Sequence, residues 1–154
     1  MNKKHITILS TALIVILLDQ ITKLLIKTNF KLNQSLPIIE NILHLTYVTN
    51  TGSAFGLFKG FNLFFVIFSI IVIIAIFYFI NKIKNNEKLI QYSVGLLLAG
   101  TIGNLIDRIL HGSVIDFIDF RIWPVFNIAD SSITIGVILL IILFFNSFFL
   151  CLLD

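Results

Sequence analysis

Two carboxylates in this sequence sit where a carboxylate is expensive. Asp116 follows an apolar pair in Val114-Ile115-Asp116-Phe117, and Asp130 closes the run Asn127-Ile128-Ala129-Asp130. An acid in such surroundings costs free energy unless it is solvated, paired or shares a proton. When two carboxylates share one proton their titrations separate, so one can act as base while the other acts as acid. In amide hydrolysis the base draws a proton from water and the acid protonates the carbonyl. The sequence places both on the same side of the chain's apolar segments. It leaves open whether they meet.

The other polar residues gather near them. Asp19, Gln20 and Lys23 end one apolar run, and Asn104, Asp107 and Arg108 end another. Asp130, Ser131 and Ser132 begin a third, with Asp116 and Asp119 in between. Asp19 and Lys23 are four apart with the acid first, the favourable order for a helical pair, and read as a structural ion pair. Asp107 is in part structural. Arg108 is open to two readings, substrate contact or scaffold, and Asp119 reads as a solvated loop acid. Other chemistries have thinner support. Ser53, Ser131 or Ser132 with Lys23 would make a Ser–Lys dyad, but no motif signals it. A Ser-His-Asp triad finds only His111 near Ser113. His5, His44 and His111 are far apart and read as ordinary surface or interface residues. Cys151 is the sole cysteine, at the far end of the last run, and no Cys/His metal pattern exists. The pair Gly100 and Gly103 lies inside an apolar run and cannot form a phosphate-cradling loop.

The elements that must position these residues are membrane spans. Of 154 residues, 58% are hydrophobic and 12% charged, with a mean hydropathy of +1.03. That excludes a disordered chain, a nucleic-acid-binding tail and an ordinary soluble domain, which could not hide so much apolar surface. Four stretches near the length a spanning helix needs occupy residues 6–26, 61–80, 89–106 and 133–153. The chain has room for one membrane domain, 1–154, mainly α. The first stretch carries Asp19, Gln20 and Lys23 with no small-residue cleavage site, so it reads as a retained span rather than a removed leader. Lys3 and Lys4, and Lys82, Lys84 and Lys88, fall in short segments on one side, which the positive-inside rule assigns to the cytoplasm. Both termini are then cytoplasmic, and segments 27–60 and 107–132 face outward. The net charge of +3 suits an anionic membrane surface.

Within the outer segments, residues 36–49 are rich in β-branched and aromatic side chains and end at Asn50-Thr51-Gly52, so they read as one or two strands at the membrane surface. Trp123 with Phe117, Phe120 and Phe126 suits an interfacial position. Gly95, Ala99, Gly103 and Asp107 follow at four-residue steps on one helix face, where small residues admit a neighbouring helix. The third span is therefore the expected central helix, delivering Asn104, Asp107 and Arg108 to the outer boundary.

Five blocks in order resemble the bacterial lipoprotein signal peptidases (signal peptidase II). They are Asp19-Gln20-Ile21-Thr22-Lys23, Asn50-Thr51-Gly52-Ser53-Ala54-Phe55, Gly100 through Arg108, Gly112-Ser113-Val114-Ile115-Asp116-Phe117, and Phe126-Asn127-Ile128-Ala129-Asp130. The resemblance implies an aspartyl endopeptidase of the cytoplasmic membrane that cuts just before a diacylglyceryl-modified cysteine in prolipoproteins, at the outer face. It places the catalytic aspartates on Asp116 and Asp130. Site support or substrate contact falls on Asp19, Lys23, Asn50, Gly52, Asn104, Asp107, Arg108 and Asn127. The strand-rich segment would be the family's extracytoplasmic sheet. Prolipoproteins and membrane lipids would be partners and the cyclic peptide globomycin an inhibitor, with no metal, cofactor or nucleic acid. Members often carry basic residues after the fourth span, whereas this sequence reads Leu152-Leu153-Asp154.

Two other function classes compete. A small transporter subunit or channel would place polar residues at the midplane of several spans. A head-group enzyme would favour basic or metal-ligating residues around phosphate. Span two is wholly apolar, the polar positions sit at one boundary, and acids dominate them.

Overall fold

The computed structural model describes residues 2–52 and 60–153, less the side chains of residues 147, 148 and 150–153. Ser53, Ala54, Phe55 and Lys59, and the side chain of Cys151, lie outside the described residues. Four helices run up and down: α1 (Lys3–Asn29), α2 (Asn62–Phe79), α3 (Lys88–His111) and α4 (Ile128–Leu153). Each is long and apolar enough to cross a membrane. Three strands, β1 (Ser35–Ile39), β2 (Leu43–Asn50) and β3 (Val114–Asp119), form one antiparallel sheet in the order β1-β2-β3.

Burial shows which helix the others use. α3 buries ten residues and packs against α1, α2 and α4, while α2 buries only Ile76. α1 turns one stripe inward: Lys4, Ile8, Ala12, Asp19, Lys23 and Ile26. The remaining apolar surface of α1, α2 and α4 is outward, as lipid as solvent demands. The small residues of α3 face two neighbours. Gly95 and Gly103 meet α1, and Gly100 meets α4 so closely that a Cβ there would run into the Ala129 carbonyl.

The expected strands at 36–49 form a hairpin, β1–β2, turning through Asn41 in the left-handed region (φ 61°). β3 went unanticipated; it is the strand that carries Asp116. Its period-2 pattern sends Ile115 and Phe117 into a small core with Ile26 and the half-buried Phe30, Leu45 and Tyr47. Phe117 is therefore buried, not interfacial. Trp123 and Phe120 are exposed, and Phe120 stacks on Phe126. The helices also outrun the expected span edges. α3 continues to His111 and stops at Gly112, whose φ of 69° suits glycine. α4 already begins at Ile128. The chain thus leaves α3, forms β3 and enters α4 within 17 residues of His111, folding Asp116 back over the helix ends.

Candidate active site

At the sheet end of the bundle, Lys23 is 2% exposed and meets two carboxylates, Asp19 Oδ2 at 2.8 Å and Asp107 Oδ2 at 3.0 Å. The ammonium also donates to Asn104 Oδ1 at 3.1 Å. The Gln20 amide donates to both acids and to the Gly103 carbonyl. Burying two acids with one lysine is tolerable only when further donors satisfy them. Those donors are backbone amides. Ile115 N donates to Asp107 Oδ2 at 3.0 Å, and Ala129 N donates to Asp19 Oδ1 at 2.9 Å. Ile115 precedes Asp116 and Ala129 precedes Asp130. The ion cluster therefore pins the backbone immediately before each acid. Asp19 and Lys23 form the ion pair their spacing suggests, and with Asp107 they tie down β3 and the start of α4.

Asn127 joins the two acids. It precedes α4 and, with Asp130, forms a reciprocal cap: Asp130 N donates to Asn127 Oδ1 at 2.8 Å and Asn127 N donates to Asp130 Oδ2 at 3.2 Å. Its side-chain amide donates to Asp116 Oδ1 at 2.7 Å and also lies within reach of Asn104 Oδ1 and the Ile115 carbonyl. Asn104 Nδ2 donates to Asp130 Oδ1 at 2.7 Å. Asn50, diagonal to Asp116 across the β2–β3 ladder, donates to Asp116 Oδ2 at 3.2 Å. Gly52 N donates to Asn50 Oδ1, fixing which way that amide faces. Burial first, and the charge of Asp130 second, push the Asp116 carboxyl up to about 7, against the lowering effect of its hydrogen bonds and Lys23.

Arg108 reaches the same place from α3. Its Nη2 donates to the Gly52 carbonyl at 2.9 Å, and its guanidinium lies 4.4 Å from the Phe65 ring centroid. Its Nη1 is buried with no hydrogen-bond partner among the described residues. A cavity of about 630 Å³ opens here. Asn50, Asn104, Arg108, Asp116 and Asp130 supply its polar floor, and Phe65, Trp123 and Ile133 are among its apolar walls.

All ten residues singled out from the sequence thus fall in one connected cluster. Asp119 behaves differently from expectation. It is 5% exposed, accepts from Thr46 Oγ1 at 2.7 Å, and binds Arg121 through backbone and guanidinium. Burial would raise its carboxyl, but these hydrogen bonds hold it below the ordinary value. It braces the sheet on the face opposite Asp116. Phe65 was missed, and no sequence signal marks it among the phenylalanines of α2. The Ser–Lys alternative fares poorly. Lys23 spends its donors on Asp19, Asp107 and Asn104, while Ser131 and Ser132 donate to the backbone carbonyls of Asn127 and Ala129. Among the described residues, no group of three or more His, Cys, Asp or Glu is placed to hold a metal ion.

A family model described as "Signal peptidase (SPase) II" matches residues 11–146. The chain is similar to a lipoprotein signal peptidase of Halothermothrix orenii, 48% identical over 84% of this chain and 89% of the relative. It is similar to one of Staphylococcus aureus, 45% identical over 92% of this chain and 91% of the relative. A solved structure described as a bacterial membrane enzyme superposes with a TM-score of 0.87 at 44% identity, covering 91% of this chain and 88% of the other.

Proposed function

The chain belongs to the signal peptidase II family, and on that premise we propose that Asp116 and Asp130 are the carboxylates with which it hydrolyses its substrate. It is a multi-pass membrane peptidase that removes signal peptides from prolipoproteins. The observation that carries the site assignment is the shared residue Asn127, which hydrogen-bonds both acids at the floor of one cavity.

The chemistry follows from that pairing. The scissile carbonyl sits over the two acids, one of which activates water while the other protonates the carbonyl oxygen. Arg108, whose buried Nη1 has no partner among the described residues, and Asn50 hold substrate carbonyls rather than move protons. The substrate cysteine carries diacylglycerol. Its bond is cut just before that residue, where acyl chains end and water begins. The sheet end of the bundle faces outward from the cytoplasmic membrane, and both termini face the cytoplasm, in keeping with Lys3, Lys4, Lys82, Lys84 and Lys88 at the opposite end. Membrane lipids surround the apolar faces, and globomycin would compete for the same cavity.

The test is turnover of a prolipoprotein by purified enzyme in detergent, with Asp116→Asn and Asp130→Asn beside wild type. The substrate is supplied with and without its diacylglyceryl group. We expect both folded variants to lose on the order of 10³-fold or more in kcat/KM, and only lipidated substrate to be cut. Near-normal cleavage by either variant would remove that acid from the mechanism.

A further inference from the structure

The two acids are held differently, and the difference divides their labour. An ammonium can only donate hydrogen bonds, so Lys23 forces Asn104 to turn its oxygen inward and its NH2 group toward Asp130. The amide orientation at Asn104 is therefore set by a group with no acceptor. The second oxygen of Asp130 meets Asn127 N, a backbone donor that cannot be reversed. Asp130 also lies in the first turn of α4, where unpaired backbone N–H groups favour negative charge.

Asp116 is held through side chains, with Gly52 N orienting the Asn50 amide and Asp130 N orienting the Asn127 amide. It stands on β3 rather than within a helix's first turn and is 2% exposed, whereas Asp130 is half-buried. Among the described residues its donors are two neutral side-chain amides at 2.7 and 3.2 Å, whereas Asp130, at the same two distances, has one side-chain amide and one backbone N–H. Among the described residues, the charged groups around the pair are Asp19 and Lys23 from α1 and Asp107 and Arg108 from α3, and β2 contributes neutral Asn50. Asp19 and Asp107 are both bound to Lys23, which leaves Arg108 as the further cation among the described residues.

Resting on the hydrolytic reading of this site, we propose that Lys23 and Asn104 are positioning residues that keep Asp130 ionised, making Asp130 the base and Asp116 the acid. Water loses a proton to Asp130 as its oxygen bonds the scissile carbon, and Asp116 gives its proton to the carbonyl oxygen. The resulting gem-diol collapses as the C–N bond breaks. The nitrogen takes the proton from Asp130, and a diol proton returns to Asp116. Both acids end as they began, with one water consumed.

The pH profile of kcat/KM separates the roles, because its acid limb reports the base and its alkaline limb the acid. Asn104→Ala should move the acid limb upward by about one pH unit and leave the alkaline limb in place. Asn50→Ala should move the alkaline limb upward and leave the acid limb. The reverse pattern, or both limbs moving together in both variants, overturns the assignment. A second measurement needs no Asn104 variant. Infrared spectra of enzyme labelled with 13C-aspartate should show one protonated carboxyl at pH 5.5 that Asp116→Asn abolishes. No such band in wild type, or a band that survives Asp116→Asn, also overturns it. If the acid variants still cleave, the hydrolytic reading itself falls. If they are dead while the limbs are reversed, only the division of labour does.

Discussion

The two ends of the helix bundle fasten the same helices with opposite chemistry. At the end bearing the lysine-rich turn, Lys4 Nζ donates to the carbonyls of Asn81 and Ile83, both at 2.7 Å. Gln91, fully buried, donates to the carbonyls of Lys84 and Asn85. There Lys4 and Gln91 are satisfied by backbone carbonyls, and no carboxylate is buried among the described residues. At the sheet end, Asp19, Asp107 and Asp116 are all 3% exposed or less, and backbone amides satisfy only part of what they need. Carbonyl-satisfied cations make a quiet joint. Acids crowded against one another and facing a cavity make a site that can exchange protons.

Removing one cation from each end sharpens that contrast most. Lys23→Met leaves two buried carboxylates without their counter-ion and should cost about 3–5 kcal/mol, abolishing turnover. Lys4→Met removes two hydrogen bonds to neutral carbonyls and should cost about 1–3 kcal/mol, with kcat unchanged in the folded fraction. Thermal unfolding in detergent beside single-turnover cleavage checks both. Equal losses of activity would mean that the ends are not functionally distinct.

A smaller effect comes from the glycines that let α3 approach its neighbours. A Cβ at Gly95 would meet Thr11 Cβ at 2.8 Å and the Ile8 carbonyl at 2.9 Å, in the half away from the site. A Cβ at Gly100 would press on Ala129, whose amide is pinned to Asp19 and which precedes Asp130. Overpacking of either should cost about 1–3 kcal/mol. Only Gly100→Ala should lower kcat beyond the loss of folded protein. An equal drop in kcat for Gly95→Ala would show that the whole bundle, not its sheet end, sets the site.

A pH-dependent effect divides two acids of one strand. Asp116 is raised from 3.8 to about 7, so the stability it allows is full below about pH 4 and is lost as pH rises through about 7. Asp119 is lowered, so its contribution is present above the ordinary carboxylate value and is lost as pH falls below it. In melting curves taken across pH, Asp116→Asn should flatten the decline toward neutral pH, and Asp119→Asn the decline in acid. The same slope in both variants would contradict the opposite environments of the two faces of β3.

Much of this was legible in residue types and spacing. Apolar runs of the right length specify spanning helices because lipid leaves backbone polar groups no other partner. The four-residue steps of Gly95, Ala99 and Gly103 mark the packed face of α3 because only small residues let two backbones approach. Buried acids gathered at one boundary mark the end of the bundle where chemistry is possible, since charge in hydrocarbon is too costly to keep without use. β3 was less legible. Six residues of alternating pattern between two helices carry a weak signal beside twenty-residue apolar runs. The helix ends at His111 and Ile128 were misplaced because hydropathy marks where the hydrocarbon stops, not where backbone hydrogen bonding does.

The sequence by itself determined the membrane class, the central helix and the set of polar side chains available to the site. Only the tertiary structure decided which of those side chains face one another. Asp19 reaches Ala129, 110 residues away, and Asn50 reaches Asp116 across 66. It also decided that Asp119 turns to the braced face of β3 while Asp116 turns to the cavity. Hydrophobic burial acts on each segment separately and can be read from its own residues. The charge state of a carboxylate depends on every donor and charge that the fold brings within a few ångströms, and no single segment contains them.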